Sequence, residues 1–272
     1  MKNLILILTS LISLALLCGC SGDTTDLEPV SEYPKTERTT IESTFVYDNY
    51  TYPVRIYLPK SYETNNNLPV IYVLDGKMNF DLVISAIPNS TDAIVVAFGD
   101  LAYRQLWPRR WEDLMPEDIN CHSVNGKHHD FYDFITKELI PYIDNKYIND
   151  NTSRTLLGHS SAGIFTLVSM FIEDTQNVTF NNFIAGDPEL ACNPTYFDRM
   201  LNNNDFPVVA EKFKFYLGLS GDGNIDAVRQ FSDDIKAKEF PWLTFKYEEF
   251  LNEGHLGVRD DIFGSALRFV FE

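Results

Sequence analysis

The chain has 272 residues, of which 44% are hydrophobic and 22% charged, so its composition excludes a disordered chain and a fibrous repeat. It carries 22 Lys and Arg against 39 Asp and Glu, a formal net charge of −17 at pH 7. An acidic surface repels phosphate backbones, which argues against nucleic acid as a partner. The 20 Phe and 14 Tyr allow a substantial core.

The first segment predicts export. A positive Lys2 precedes an apolar run over residues 4–17 that is too short to cross a membrane comfortably, as in a secretory signal peptide. The run ends in LCGC (residues 17–20), which resembles the lipobox of bacterial lipoproteins and assigns Cys20 as the lipidated residue. We therefore expect a signal peptide over residues 1–19 and a location on the bacterial cell envelope, with the lipid as the sole membrane attachment. The alternative is an ordinary cleaved signal with two incidental cysteines.

Residues 20–43 are polar and rich in Thr, Ser and Glu, and they predict a flexible tether between the lipid and the folded part. Residues 44–272 show no internal repeat and no second composition, so we expect one domain. It begins with a hairpin in which Phe45–Tyr47 and Val54–Leu58 flank a turn at Asp48–Asn49.

Short apolar runs then alternate with segments of helical periodicity. Runs such as PVIYVL (69–74) and AIVVAF (93–98) suit strands buried on both faces of a parallel sheet, and further strands are expected at 155–157, 183–185, 213–219 and 243–250. Residues 131–143 and 225–240 space their apolar positions as helices packed on a sheet do. The pattern predicts an α/β fold with a mostly parallel central sheet, helices on both faces and an antiparallel edge hairpin.

The most informative stretch is Gly158-His-Ser-Ser-Ala-Gly163, which lies between a strand ending near Leu157 and an apolar helix. This context is typical of a nucleophile elbow, a sharp strand-to-helix turn that exposes a serine. The motif G-x-S-x-G fits imperfectly in both frames. We assign Ser160 as the nucleophile, because Gly158 precedes it and Ala162 is small, whereas a frame on Ser161 would place His159 at the first glycine.

A catalytic serine needs a base and an acid. Of the five histidines, His255 alone follows the last strand, as the Ser–acid–His order of α/β hydrolases requires. Asp222, which follows the strand 213–219, is expected to orient His255, with Asp226 as the alternative. The oxyanion hole is expected from the backbone N–H of Ser161 and that of Gly76 or Lys77, in the loop after an early strand.

Four ordered motifs resemble an esterase family of α/β hydrolases that includes enterochelin esterases, S-formylglutathione hydrolase, and feruloyl and acetylxylan esterases. They are VLDG (73–76) with the elbow, RWEDLMP (110–116), ELIPYI (138–143), and Gly254–His255 followed by LRFVF (267–271). The likeness covers nearly all of residues 44–272. It implies an α/β-hydrolase fold without cofactor or metal, acting on small-molecule or glycan esters such as trilactone siderophores or acylated polysaccharides.

Two positions depart from the family pattern. Where the family often has Ser-Pro-Ser-Leu-Trp-Trp, this chain has GDPELAC (186–192), and Ala162 replaces a common glycine of the elbow. The expected function is that of a serine esterase working through an acyl-enzyme. The alternative is a non-catalytic ligand-binding lipoprotein on the same fold.

Two further sets of residues complete the expectations. Phe80, Trp107 and Trp111 are candidates for an aromatic pocket wall or for the core, and Arg110 for gripping an acidic substrate or for a local ion pair with Asp113. Cys121 and Cys192 are expected to form a disulfide at the pocket rim. Both are expected in loops at the carboxyl edge of the sheet, and export favours oxidation. The alternative is two separate buried thiols. No spacing of Cys and His suggests a metal site.

Overall fold

The fold comes from a computed structural model, which describes residues 39–65, 67–99, 107–119, 121–147, 153–173, 178–202, 212–222 and 225–272. The strands are β1 Thr39–Tyr47, β2 Tyr50–Leu58, β3 Val70–Val73, β4 Ile94–Phe98, β5 Arg154–His159, β6 Asn182–Gly186, β7 Phe213–Ser220 and β8 Leu243–Phe250. The helices are α1 Gly76–Ala86, α2 Trp107–Leu114, α3 His128–Phe134, α4 Ile140–Tyr147, α5 Ser161–Ile172, α6 Pro194–Asn202, α7 Ile225–Lys238 and α8 Arg259–Phe271.

The eight strands form one sheet in the order β1-β2-β4-β3-β5-β6-β7-β8. The hairpin β1–β2 is antiparallel and joins β4 antiparallel, while the remaining neighbours are parallel. The α/β prediction with an antiparallel edge is therefore confirmed. Asp48 and Asn49 both have positive φ (47° and 63°), as the tight turn favoured in hairpins requires.

Helices cover both faces of the sheet. Side chains of α1 and α8 pack with Ile71, Val95 and Ile184 on one face. Side chains of the other helices pack with Tyr72, Leu156 and Phe183 on the opposite face. The buried strands β3, β4 and β6 are apolar on both faces because both faces are covered, which explains their unbroken hydrophobic runs.

Two boundaries differ from the sequence predictions. β1 begins at Thr39, so the last part of the predicted tether is a strand that pairs with β2 through Leu58. The predicted helix over 131–143 is divided, because a π-helical turn at Ile135–Leu139 joins α3 to α4. The signal peptide, Cys20 and most of the tether lie outside the described residues. Among the described helices, none has the length and apolar character needed to cross a membrane.

A buried polar cluster ties α2 to the edge hairpin. Arg109 Nη2 lies 2.9 Å from Asp113 Oδ1, and its Nε donates to the hydroxyl of Tyr52 at 2.9 Å. The Tyr52 hydroxyl in turn donates to Asp113. Arg109 and Asp113 are 7% and 1% exposed. Arg109 Nη1 also binds Asp48 Oδ2 at 2.6 Å, so removing Asp113 takes away one of two carboxylates from Arg109 and leaves the buried Tyr52 hydroxyl without this acceptor.

We therefore expect Asp113→Ala to lower the free energy of unfolding by about 1 to 3 kcal/mol, the cost of leaving a buried polar group without its partner, measured by urea denaturation. The exposed pair of Asp133 and Lys137 provides the control, since Asp133→Ala should cost less than about 1 kcal/mol. Equal costs for the two variants would contradict this expectation and mean that Asp48 and solvent together replace the contacts of Asp113.

Candidate active site

The strand β5 and the helix α5 meet in a strained turn at Ser160. Its backbone has φ 63° and ψ −127°, a conformation that non-glycine residues rarely adopt. The turn is tight enough that a Cβ on Gly158 would lie 2.1 Å from the carbonyl oxygen of Ala162, so Gly158 is required there. Ser160 stands at the apex, whereas Ser161 is the first residue of α5 and is 1% exposed.

The neighbouring strand β6 brings a carboxylate to the turn. Ser160 N–H donates to the carbonyl of Gly186, the last residue of β6, at 2.8 Å. Asp187 follows directly, with its own N–H bound to the carbonyl of Gly218 on β7. The side chain of Asp187 is therefore placed between the ends of β6 and β7, and it is 1% exposed.

Asp187 holds the ring of His255. The distance from His255 Nδ1 to Asp187 Oδ2 is 2.5 Å, and Ser220 adds bonds from its N–H (3.1 Å) and its hydroxyl (2.6 Å) to the same carboxylate. Burial raises the pKa of Asp187, but the hydrogen bonds from His255 and Ser220 outweigh it and leave the pKa below its usual value. The hydrogen bond to Asp187 also raises the pKa of His255.

The expectation that Asp222 orients the ring of His255 is wrong. Asp222 Oδ1 instead accepts the backbone N–H of His255 at 2.6 Å, and so it fixes the loop and leaves the ring nitrogen to Asp187. The alternative, Asp226, lies in the first turn of α7, where a carboxylate is favoured by the helix dipole.

His159 packs beneath this pair. Its ring centroid is 4.6 Å from that of His255, and burial together with the charge of His255 lowers the pKa of His159 to about 3. His159 therefore stays neutral at neutral pH. Ligand-type atoms of His159, Asp187 and His255 lie within 4.8 Å of one another, but the contact between Asp187 and His255 is that of a hydrogen bond. The absence of a metal requirement stays a prediction.

The loop after β3 carries the second expected oxyanion donor. Asp75 is left-handed (φ 52°), and α1 begins at Gly76, whose N–H therefore has no acceptor within the helix. A Cβ on Gly76 would lie 2.7 Å from the backbone nitrogen of Phe98, so the loop passes directly against β4. Lys77 N–H donates to the carbonyl of Gly99 at 3.3 Å, which favours Gly76 over Lys77 as the donor.

Arg110 fixes this loop. Its Nε and Nη2 bind the two carboxylate oxygens of Asp75 at 2.7 and 2.6 Å. The expected local pair of Arg110 with Asp113 is wrong, because Asp113 is bound by Arg109 instead. A bidentate pair of this kind fixes orientation as well as distance, and Arg110 thus supports the segment that carries Gly76.

The residues expected to line the substrate pocket do not form a single wall. Phe80 belongs to the core, since it is 1% exposed on the face of α1 that packs against the sheet, with the Arg55 guanidinium 4.1 Å from its ring. Trp111 stacks on His122 with ring centroids 4.1 Å apart. The side chain of Trp107 lies outside the described residues. A groove of about 640 Å³ borders Gly76 and Lys77, and Phe80, Arg110 and Trp111 do not line it.

Cys121 and Cys192 are joined by a disulfide, with Cα atoms 5.7 Å apart and a sequence separation of 71. The bond connects the loop before α3 to the turn that follows Asp187, so it does brace the edge of the sheet near Ser160. Closing a loop of this length stabilises the fold by about 4 kcal/mol through chain entropy.

Sequence reasoning missed Asp187 and Glu189, which both belong to the segment GDPELAC. Glu189 Oε1 accepts a hydrogen bond from the Ser160 hydroxyl at 3.3 Å. The available signal was positional: two carboxylates follow β6 directly, and every parallel strand delivers its carboxyl end to the same edge of the sheet.

This sheet order, with a serine at a strained β5–α5 turn and a carboxylate-bound histidine, is that of the α/β-hydrolase fold. Residues 48–174 match the family model Esterase, described as "Putative esterase". This region is therefore similar to esterases, and the fold is that of the α/β hydrolases.

Three known proteins resemble this chain, one in sequence and two in fold. The chain is 24% identical over 253 residues to ferri-bacillibactin esterase BesA of Bacillus subtilis (strain 168). The alignment covers 82% of this chain and 85% of the relative. The crystal structure of the BES protein from Bacillus cereus superposes with a TM-score of 0.71, at 23% identity over 85% of this chain and 94% of that one. The siderophore hydrolase EstA of Aspergillus nidulans superposes with a TM-score of 0.69, at 15% identity over 89% and 97%.

The contact between Asp187 and His255 makes a prediction for titration by NMR. Asp187→Asn should lower the pKa of His255, because the hydrogen bond that favours the charged ring loses its ionised acceptor. Asp222→Asn should lower it less, since Asp222 binds the backbone of His255 and not the ring. A larger fall in Asp222→Asn would contradict the assignment.

The raised pKa of His255 also determines the direction in which the stability of the fold changes with pH. The folded pKa of His255 is raised above its ordinary value of about 6.5, so its contribution to stability is fully present below that value. The contribution is lost as the pH rises through the folded pKa. Asp187→Asn should flatten this dependence.

Proposed function

We propose that the protein hydrolyses carboxylic esters through an acyl-enzyme, with Ser160 as nucleophile, His255 as general base and Asp187 as the acid that orients the base. The observation that carries the proposal is the hydrogen bond from His255 Nδ1 to a buried carboxylate beside the strained serine. This bond fixes the ring tautomer and leaves Nε2 as the proton acceptor.

The proposed reaction assigns one role to each of these groups. Ser160 Oγ attacks the ester carbonyl carbon while His255 Nε2 takes the hydroxyl proton, and the carbonyl oxygen becomes an oxyanion. The N–H groups of Ser161 and Gly76, both at the start of a helix, donate to that oxyanion. His255 returns the proton to the departing alkoxide, which leaves an acyl-enzyme. Water, deprotonated by His255, hydrolyses the acyl-enzyme and restores Ser160.

We propose siderophore esters as the substrate class, with acylated polysaccharides as the alternative from the family resemblance. The support is the names of two relatives, a ferri-bacillibactin esterase and a siderophore hydrolase. The alternative hypothesis, a non-catalytic binding protein, was based on Ala162 and the altered segment GDPELAC. Ala162 fits the tight turn against Gly158, and the altered segment supplies Asp187, so both departures are consistent with an active site.

The nucleophile is tested with short p-nitrophenyl esters. We expect Ser160→Ala to lower kcat by about 10⁶, and Ser161→Ala to retain much of the activity, because Ser161 contributes its backbone N–H. Asp187→Asn should cost roughly 10⁴ through the wrong tautomer of His255, and Asp222→Asn far less. An inactive Ser161→Ala with an active Ser160→Ala would overturn the choice of serine. Equal, background rates in all four variants and the wild type would favour a binding protein.

We also propose that Cys20 carries a lipid that holds the protein on the bacterial envelope. Cys20→Ala should move the protein from the membrane fraction to the soluble fraction with unchanged kcat, since the anchor lies outside the folded domain. Fractionation on a density gradient with immunodetection measures this. Membrane association that persists in Cys20→Ala would show that another segment provides the attachment.

A further inference from the structure

The carboxylate of Glu189 lies directly against the nucleophile. Its Oε1 is 3.3 Å from Ser160 Oγ, and its Oε2 is 3.3 Å from Ser161 Oγ. The same Oε2 is 2.8 Å from His122 Nε2. The side chain of Glu189 is 29% exposed, so it faces the space that a substrate enters. The mechanism above does not use this group.

Several contacts hold Glu189 in place. Its partner His122 stacks on Trp111 with nearly parallel rings. His122 directly follows Cys121, and Glu189 precedes Cys192 by three residues, so both lie beside the Cys121–Cys192 disulfide. Cys192 N–H donates to the carbonyl of Glu189 at 3.2 Å. The carboxylate is thus positioned by both loops that the disulfide joins.

The charges around Glu189 leave it available to a cation. The nearby guanidinium of Arg110 is already bound through two bonds by Asp75. His122 contacts one carboxylate oxygen, and Oε1 has only the Ser160 hydroxyl as a partner among the described residues. Asp187 is bound by the ring of His255 and Asp222 by its backbone N–H, so Glu189 is the carboxylate that contacts the Ser160 hydroxyl.

We propose that Glu189 is a specificity-determining residue. It selects esters whose acyl group carries a cationic substituent on the carbon next to the ester carbonyl, as in esters of α-ammonium acids. The inference rests on the proposed function, because it places the acyl carbon on Ser160 Oγ. A substituent on the adjacent carbon then lies within roughly 4 Å of Oγ, in reach of Glu189, where opposite charges attract strongly. Among siderophore esters, Glu189 favours those built on amino acids with a free α-amino group.

The test compares three p-nitrophenyl esters with different charges on the acyl group. The ester of trimethylammonioacetic acid is cationic, that of 3,3-dimethylbutanoic acid has the same shape without charge, and the succinate monoester is anionic. The quantity measured is the ratio of kcat/KM for the cationic ester to that for the neutral ester. Comparing this ratio between enzyme variants removes the higher intrinsic reactivity of the cationic ester.

The variants are Glu189→Gln and a matched control, Glu117→Gln. Glu117 forms an exposed pair with His129, with a contact of 2.8 Å, and so it is a Glu–His pair outside the contacts of the nucleophile. We expect the ratio to fall at least about tenfold in Glu189→Gln, the size expected of a charge contact worth about 1.4 kcal/mol. The anionic ester should react faster in Glu189→Gln, and Glu117→Gln should match the wild type.

The outcomes separate this proposal from the proposed function. An unchanged ratio in Glu189→Gln, or an equal loss for all three esters in a variant that keeps its circular dichroism spectrum, would overturn the specificity role while ester hydrolysis stands. Rates for all three esters no higher than those of Ser160→Ala would overturn the proposed function itself.

Discussion

The site depends on the register of three parallel strands at their carboxyl ends. Gly186 accepts the N–H of Ser160 from β5, and Gly218 accepts the N–H of Asp187 from β7. These two backbone bonds place a strained serine and a buried carboxylate on adjacent strands. A shift of β6 by one residue would turn Asp187 to the other face of the sheet and remove the acceptor from His255.

The carboxylate itself is tolerated in this position because its charge is fully solvated by protein groups. Asp187 receives one hydrogen bond from the ring of His255 and two from Ser220. A buried carboxylate without such donors would take up a proton and could no longer hold an imidazolium. Ser220, the last residue of β7, is therefore part of the support of the site although it does not touch Ser160.

Much of the fold followed from the sequence, because strands buried on both faces produce unbroken apolar runs and the elbow has an unusual local composition. β3, β4 and the β5–α5 turn were placed to within a few residues. The carboxylate that binds the ring of His255 was not, since Asp187 and Asp222 both follow strands of the same sheet and chain order does not show which one reaches the ring. Likewise, Phe80 could be assigned to the core only once the packing of α1 was known.

Ser160, Asp187 and His255 come from three segments, and the last two are 68 positions apart in the sequence. The β5–α5–β6 unit supplies Ser160 and Asp187, but His255 comes from the loop after β8. In the proposed mechanism, a proteolytic fragment that kept the elbow but lost β8 and the loop after it would hold the nucleophile without its base. Such a fragment would be inactive. The distribution of the three residues along the polypeptide would therefore prevent partly degraded molecules from hydrolysing esters.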